Sequence, residues 1–308
     1  MLKSKGKKAK SLDNNLALFS MTLPAMLKIF IFSYLPMFGI ILAFKDLNYN
    51  QGIFGSPWVG FDNFEFFFKS ESAWRITRNT LLMNGLFIVT GTIVYVLFAA
   101  LLFFISKDKI RMKAYQMTMF FPYFLSWVVV SFLLNSLIGS SGVITHFLQK
   151  IGLDINFFLE AKYWPIILVI ANIWKNLGYN SIIYFSILLG IDPALYEAAE
   201  LDGASSRQIL LKIQIPQLVP MIILNTLLAI GNIFRADFGM FYFLPGSENT
   251  FTLATTDVID TFAFRALRDQ GNLSMSAAVG VYQSIVGFIL IMIANYTVKK
   301  YDSQSSLF

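Results

Sequence analysis

The sequence predicts an all-α membrane protein of six transmembrane helices with a short helical hairpin on its cytoplasmic side. Three observations carry that prediction. Of 308 residues, 56% are hydrophobic and 14% charged, with 32 Phe and a mean hydropathy of +0.63, well outside the averages of soluble domains. Six mainly apolar runs are each long enough to cross about 30 Å of hydrocarbon. Lysine and arginine are distributed unevenly between those runs.

The chain opens on a basic stretch, Met1 to Lys10, inside an expected N-terminal tail over residues 1–22. No small-residue cleavage site follows a short apolar core, so it reads as a retained tail able to touch anionic lipid. The spans run Leu23 to Phe44, Leu81 to Ile105, Tyr115 to Ile138, Trp164 to Gly190, Pro216 to Phe234 and Leu273 to Val298. They form one membrane domain over residues 23–300, followed by a short tail, 301–308. With both termini inside, thirteen Lys and Arg fall on the inner side and eight on the outer. Lys28, Lys45 and Lys175 lie within or at the edges of spans. That bias sets the orientation by the positive-inside rule, and it places residues 192–216 in the cytoplasm.

Between spans one and two, Asp46 to Ala73 carries Gly52, Gly55, Pro57 and Gly60 beside Phe54, Trp58, Phe61 and Phe64. This mixture predicts a folded interfacial loop. Ser140 to Tyr163 includes a short helix near Val143 to Lys150, and Arg235 to Asn272 turns at Pro245 and Gly246. The phenylalanine runs Phe66 to Phe68 and Phe103 to Phe104 read as lipid-facing or packed.

Several function classes fall away. No cysteine is present and His146 is the single histidine, so neither thiol chemistry nor a zinc site is expected, and no other metal site. The net charge of +6 lies beside spans with no nucleic-acid motif, so topology accounts for it. A membrane-embedded enzyme needs convergent acids or an activated nucleophile, and an ion-coupled carrier places carboxylates near the midplane. The spans supply neither pattern, although both classes stay as alternatives.

Residues 192–216 read as two short helices around a corner. Asp192 followed by Pro193 is a helix start, because the carboxylate accepts an orphan amide proton and proline loses nothing at the first helical position. Gly203 allows the left-handed closure of that helix. Ser205 and Gln208 have capping-box spacing and start a second helix toward a break at Pro216. Tyr196 to Ala204 reads Tyr-Glu-Ala-Ala-Glu-Leu-Asp-Gly-Ala, and Lys212 to Pro216 reads Lys-Ile-Gln-Ile-Pro. This resembles the signature of ABC importer permeases, which is Glu-Ala-Ala, three residues, Gly, nine residues, then Ile-x-Leu-Pro. Glu197, Ala198, Ala199, Gly203, Ile213 and Pro216 fall on register, with Ile215 in place of the usual Leu.

The resemblance implies the type I importer fold, of the maltose type, with this segment as the coupling helix that docks in a cleft of an ATPase. The run Tyr34 to Asn48, continuing through Gly55 to Phe64, is similar to the subgroup that handles complex polysaccharide fragments. It follows that the chain is a transport subunit and no enzyme. No Walker A loop occurs here, so ATP and magnesium belong to two partner ATPase subunits, and no cofactor is bound by this chain. A second, non-identical permease, an extracellular sugar-binding lipoprotein and an oligosaccharide substrate are the other implied partners. An amino-acid or other small-solute permease is the competing reading within the family.

Span four holds the polar, aromatic stretch Asn172 to Asn180. Sugar rings stack on Trp174 or Tyr179 while hydroxyls pair with Asn172, Asn176 or Asn180, and the resemblance assigns substrate contact to Asn172 and Trp174. Lys175, an ionisable group inside a span, faces a cavity or a partner and would suit an acidic polysaccharide fragment, with a structural ion pair to Asp237 or to a neighbouring subunit as its alternative. Asn232 joins this set from span five, whereas Asn225 reads equally well as an interhelical hydrogen bond. Arg235 and Asp237 read as a gate or structural ion pair. Thr80, Asn84 and Thr90 on span two carry no assignment.

Overall fold

In the computed structural model, residues 18–69, 71–106 and 108–301 are described. The lysines at 3, 5, 7, 8, 10 and 107 therefore lie outside the described residues, as do most of the expected N-terminal tail and residues 302–308. Six helical stretches are long and apolar enough to cross a membrane: Leu18–Phe44, Ser72–Ile105, Trp127–Lys150, Ala161–Leu189, Ser206–Gly231 and Leu273–Lys300. The elements used below are α1 (Leu18–Phe44), α2 (Asp62–Lys69), α3 (Glu71–Ile105), α4 (Lys109–Phe120) and α5 (Trp127–Ile138). They continue with α6 (Val143–Lys150), α7 (Trp164–Leu189), α8 (Pro193–Leu201) and α9 (Ser206–Gly231). The chain ends through α10 (Phe238–Phe243), α11 (Ile259–Gln270) and α12 (Leu273–Tyr301).

At Pro36, Pro122 and Pro216 the missing amide is accommodated in two ways. A proline inside a helix lacks the N–H for its fourth-preceding carbonyl and crowds that carbonyl. In α1, a π-turn over Phe30–Tyr34 directly precedes Pro36, and the chain goes on as a 3-10 helix to Phe44. In α9, a π-turn over Leu210–Gln214 directly precedes Pro216. The wider turn moves the carbonyl away from the ring, so the expected break at Pro216 does not occur and the helix runs on into span five. The third crossing was expected as one helix, Tyr115 to Ile138, and here the structure corrects the sequence. After α4 comes a 3-10 turn, Phe121–Phe124, with Pro122 near its start. Leu125 is then extended, and Ser126 caps α5 through the amide of Val129.

The most extensive packing joins α3 to α7. Toward one end of the bundle their core takes in Met83, Trp164, Leu168, Ala171 and Met240. Toward the other it takes in Tyr95, Ala99, Tyr184, Leu188 and Leu218. A third cluster, Ile76, Phe234, Ile259 and Val279, joins α3 to α11 and α12. Its neighbour is a wholly buried carboxylate: Asp257 accepts from Arg75 at 3.0 Å and from Arg265 at 2.5 Å. Of the Phe66 to Phe68 run only the Phe68 side chain is described, with its ring edge-on to Tyr282.

Glycine sets one close approach. A Cβ at Gly178 in α7 would stand 2.3 Å from the backbone oxygen of Met119, so α4 lies directly on α7 there. Gly178→Ala is expected to cost about 1–3 kcal/mol by overpacking, read as earlier thermal unfolding in detergent. Gly280→Ala on exposed α12, where nothing lies within 4 Å, is expected to cause no loss.

Candidate functional site: a polar groove and a helical knob

The groove runs along α3, α7 and α9. Its upper part, about 270 Å³, is lined by Asn84, Asn172, Asn232, Arg235 and Asp237 with the apolar Phe87 and Ile88. Phe87, Ile88 and Ala229 continue into a second pocket of about 280 Å³, lined by Thr92, Tyr95, Asn180, Tyr184 and Asn225. Amides from three helices thus converge on one apolar-floored channel, the combination that binds a polyhydroxylated solute. The sequence-predicted Asn172 and Asn232 meet in it.

Asn180, also predicted, lines the second pocket, whereas Trp174, Lys175, Asn176 and Tyr179 lie outside both. Trp174 is 41% exposed. Asn176 donates to the carbonyl of Asn172 within its own helix. Tyr179 stacks on Tyr123 at 4.4 Å with rings nearly parallel, across the break of the third span. Asn225 donates to the Tyr184 hydroxyl at 3.2 Å, the interhelical bond foreseen as one of its two readings. Asn84, left unassigned by the sequence, both lines the groove and donates to the carbonyls of Ile233 and Arg235. Thr80 accepts from the amide of Ile259 at 3.0 Å, and Thr90 bonds its own helix at Leu86.

Lys175 does something that no local sequence pattern announces. Its ammonium donates to the carbonyls of Tyr123 at 2.7 Å and Leu125 at 2.5 Å, with a longer contact to Pro122 at 3.4 Å. These carbonyls belong to the broken stretch between α4 and α5, where the Pro122 carbonyl also accepts from the amide of Leu125 at 3.1 Å. The same ammonium lies 5.3 Å from the ring centre of Trp127. Trp127 in turn donates its indole N–H to Asp237 at 2.6 Å. Asp237 also accepts from the amide of Met240 and starts α10. The anticipated ion pairs of Asp237 with Arg235 or Lys175 are therefore replaced by a relay, Lys175 to Trp127 to Asp237. Arg235 is exposed in the groove wall and makes no ion pair among the described residues.

At the bundle end formed by the last turns of α3 and α7, the predicted hairpin is present. Asp192 accepts from the amide of Ala194 at 3.0 Å with Pro193 at the helix start. Gly203 has φ +70°, and Ser205 with Gln208 closes a capping box. Glu197 and Ala198 are exposed, Ala199 is half-buried and Leu201 is 89% exposed. Ile213 and Pro216 stand on α9 around the end of the π-turn. The knob is tied to span two by the ring of Tyr196, stacked on Phe103 at 4.7 Å. Burial pushes the Tyr196 phenol up from its ordinary value.

Six apolar crossings, a polar groove between three of them and an exposed helical knob at one end define a membrane transport permease. The chain belongs to the family described as binding-protein-dependent transport system inner membrane component, which matches residues 92–302. It is 34% identical to Protein LplB of Bacillus subtilis (strain 168) over 93% of this chain and 90% of that one. It is 33% identical to the polygalacturonan/rhamnogalacturonan transport system permease protein YteP of the same organism, over 93% and 89%. Among solved structures it is similar to a chain of a bacterial ABC transporter that imports the acidic polysaccharide alginate. The TM-score there is 0.84 at 30% identity, over 96% of this chain and 99% of that one. A bacterial alginate ABC transporter in complex with an alginate pentasaccharide-bound periplasmic protein gives a TM-score of 0.82 at 30% identity, over 95% and 97%.

Replacing Lys175 by Met leaves the carbonyls of the break without their donor. Amide exchange from Ser126 to Val129 should then rise by about tenfold or more, with exchange in α8 unchanged, as read by hydrogen–deuterium exchange.

Proposed function

We propose that this chain is the membrane-spanning subunit of an ATP-driven importer of oligosaccharides, acidic polysaccharide fragments among them. The observation that carries the reading is the exposed knob at residues 192–216, capped at Asp192 and turned at Gly203. Glu197, Ala198 and Ala199 form a small-residue surface that a partner can approach closely. On this reading the knob is cytoplasmic, as are both termini, and it docks on a separate ATPase that holds ATP and magnesium. A second, non-identical permease completes the pore, and an extracellular sugar-binding lipoprotein delivers the substrate.

The groove receives the sugar. Asn172, Asn232 and Asn84 offer amides to hydroxyls, and the exposed guanidinium of Arg235 meets a uronate carboxylate. Trp174, Asn176 and Tyr179 extend the contact surface where the second permease closes the pore. Lys175, with its ammonium engaged by backbone carbonyls, serves the substrate by holding the third span in its broken form. The solutes of YteP and of the alginate importer are acidic polysaccharides by name, which supports the assignment of charge.

Two measurements test this. Gly203→Val forces a β-branched residue into left-handed backbone, a conformation that costs ordinary residues about 1–2 kcal/mol. The assembled transporter should keep its membrane insertion and lose substrate-stimulated ATP hydrolysis and uptake together; full transport would refute the coupling role. Arg235→Gln should reduce uptake of an acidic oligosaccharide by about tenfold relative to a neutral one of equal length, since a charge-assisted hydrogen bond contributes about 1.5–3 kcal/mol. Equal loss on both sugars would remove the charge assignment.

A further inference from the structure

We infer that the loop from Lys45 to Phe61 is a lipid anchor, seating the rings of Tyr49, Phe54, Trp58 and Phe61 at the headgroup boundary of the bilayer at the end of span one. Those rings are 69%, 84%, 66% and 71% exposed. They sit on a built platform and not on a slack turn. Lys45 is 3% exposed, and its ammonium donates to the carbonyls of Ile53 at 3.0 Å and Phe54 at 2.8 Å. The same ammonium lies 5.1 Å from the ring centre of Trp58. Asn63 donates to the carbonyls of Ala43 and Lys45, and Ser56 closes the turn by accepting from the amide of Asn48. A buried cation spent on holding two carbonyls makes Phe54 project outward.

The height of this platform is fixed by two spans. It follows directly on Phe44, the last residue of α1, and Val59 donates back to the Phe44 carbonyl at 3.0 Å. On the other side, Leu47 donates to the Ser274 hydroxyl and the Tyr49 hydroxyl to the Gly271 carbonyl, at the start of α12. The rings therefore stand level with the ends of two hydrocarbon-crossing helices, where amphipathic aromatics find both apolar chains and water. Charge selects the kind of lipid surface. The charged residues of this loop are Asp46 and Lys45, and the Lys45 ammonium is already engaged by two carbonyls. Attraction to anionic headgroups is thus excluded as the source of binding, and insertion of the rings remains.

The absence of cysteine makes the test direct. Phe54→Cys and Phe61→Cys, each carrying a nitroxide, are placed in the full chain reconstituted in phosphatidylcholine vesicles. Two references accompany them: Phe288→Cys within span six, 65% exposed, and Glu248→Cys in a polar loop, 81% exposed. The ratio of oxygen to nickel-chelate accessibility at 54 and 61 should fall between the two references, at a depth of about 5–10 Å below the headgroups. It should not change when anionic lipid is added. A ratio equal to that at 248 would overturn the anchor in favour of an aqueous loop. Shielding from both reagents would overturn it in favour of a protein surface, with a binding protein or a second subunit as the occupant.

Discussion

Inside hydrocarbon every backbone amide and carbonyl must find a partner within the protein, and the architecture follows from how this chain meets that requirement at Pro36, Pro122 and Pro216. Pro36 and Pro216 are met by π-turns that keep the helix continuous. Pro122 is not, and the third crossing parts between Phe124 and Ser126. The carbonyls exposed there are met by an ammonium reaching across from span four. Without that donor, the carbonyls of Tyr123 and Leu125 would lose this partner, each at a cost of about 1–3 kcal/mol if left unpaired in an apolar setting. The break is thus a folded feature that depends on Lys175.

That dependence links the break to the groove. The indole of Trp127, at the first position of α5, is held between the Lys175 ammonium and the Asp237 carboxylate. A Cβ at Gly239 would stand 2.8 Å from the Trp127 ring, so α10 closes directly on the indole. Asp237 and Arg235 are groove residues. The third span is therefore joined to the groove mouth through one indole and one carboxylate. At the far end the π-turn of α9 joins the same span-five helix to the knob. The Gln214 side chain within it is wholly buried and faces the Tyr196 hydroxyl.

Local chemistry was legible in the sequence and tertiary chemistry was not. Asp192, Pro193, Gly203, Ser205 and Gln208 each act within four residues of themselves, so their caps and corner could be read directly, and the structure places all of them as read. The six crossings were legible because hydrocarbon thickness fixes their length. The break at Pro122 was hidden by the apolar run around it. Its signal was present all the same, in Pro122 followed by Ser126 at the N-cap of Trp-Val-Val-Val. The partners of Lys175 lie about 50 residues earlier, a separation that no spacing rule spans. Asn84 was passed over because one amide on a long apolar helix looks the same whether it packs or lines a cavity.

Lys45 and Lys175 show why intramembrane cations are poor predictors of substrate charge. Both are lysines within or at the edge of a span, both have their ammonium groups on backbone carbonyls, and both lie over an aromatic ring. A burial-prone cation costs least where donors are matched by acceptors, and irregular backbone supplies unsatisfied carbonyls at just such places. The compact three-donor ammonium on a flexible stem fits that role better than a planar guanidinium. Arg235 differs in kind: it is exposed, unpaired among the described residues and part of the groove wall. Charge available to a solute is to be sought where a cation lacks protein acceptors, and in this chain that criterion separates Arg235 from the two lysines.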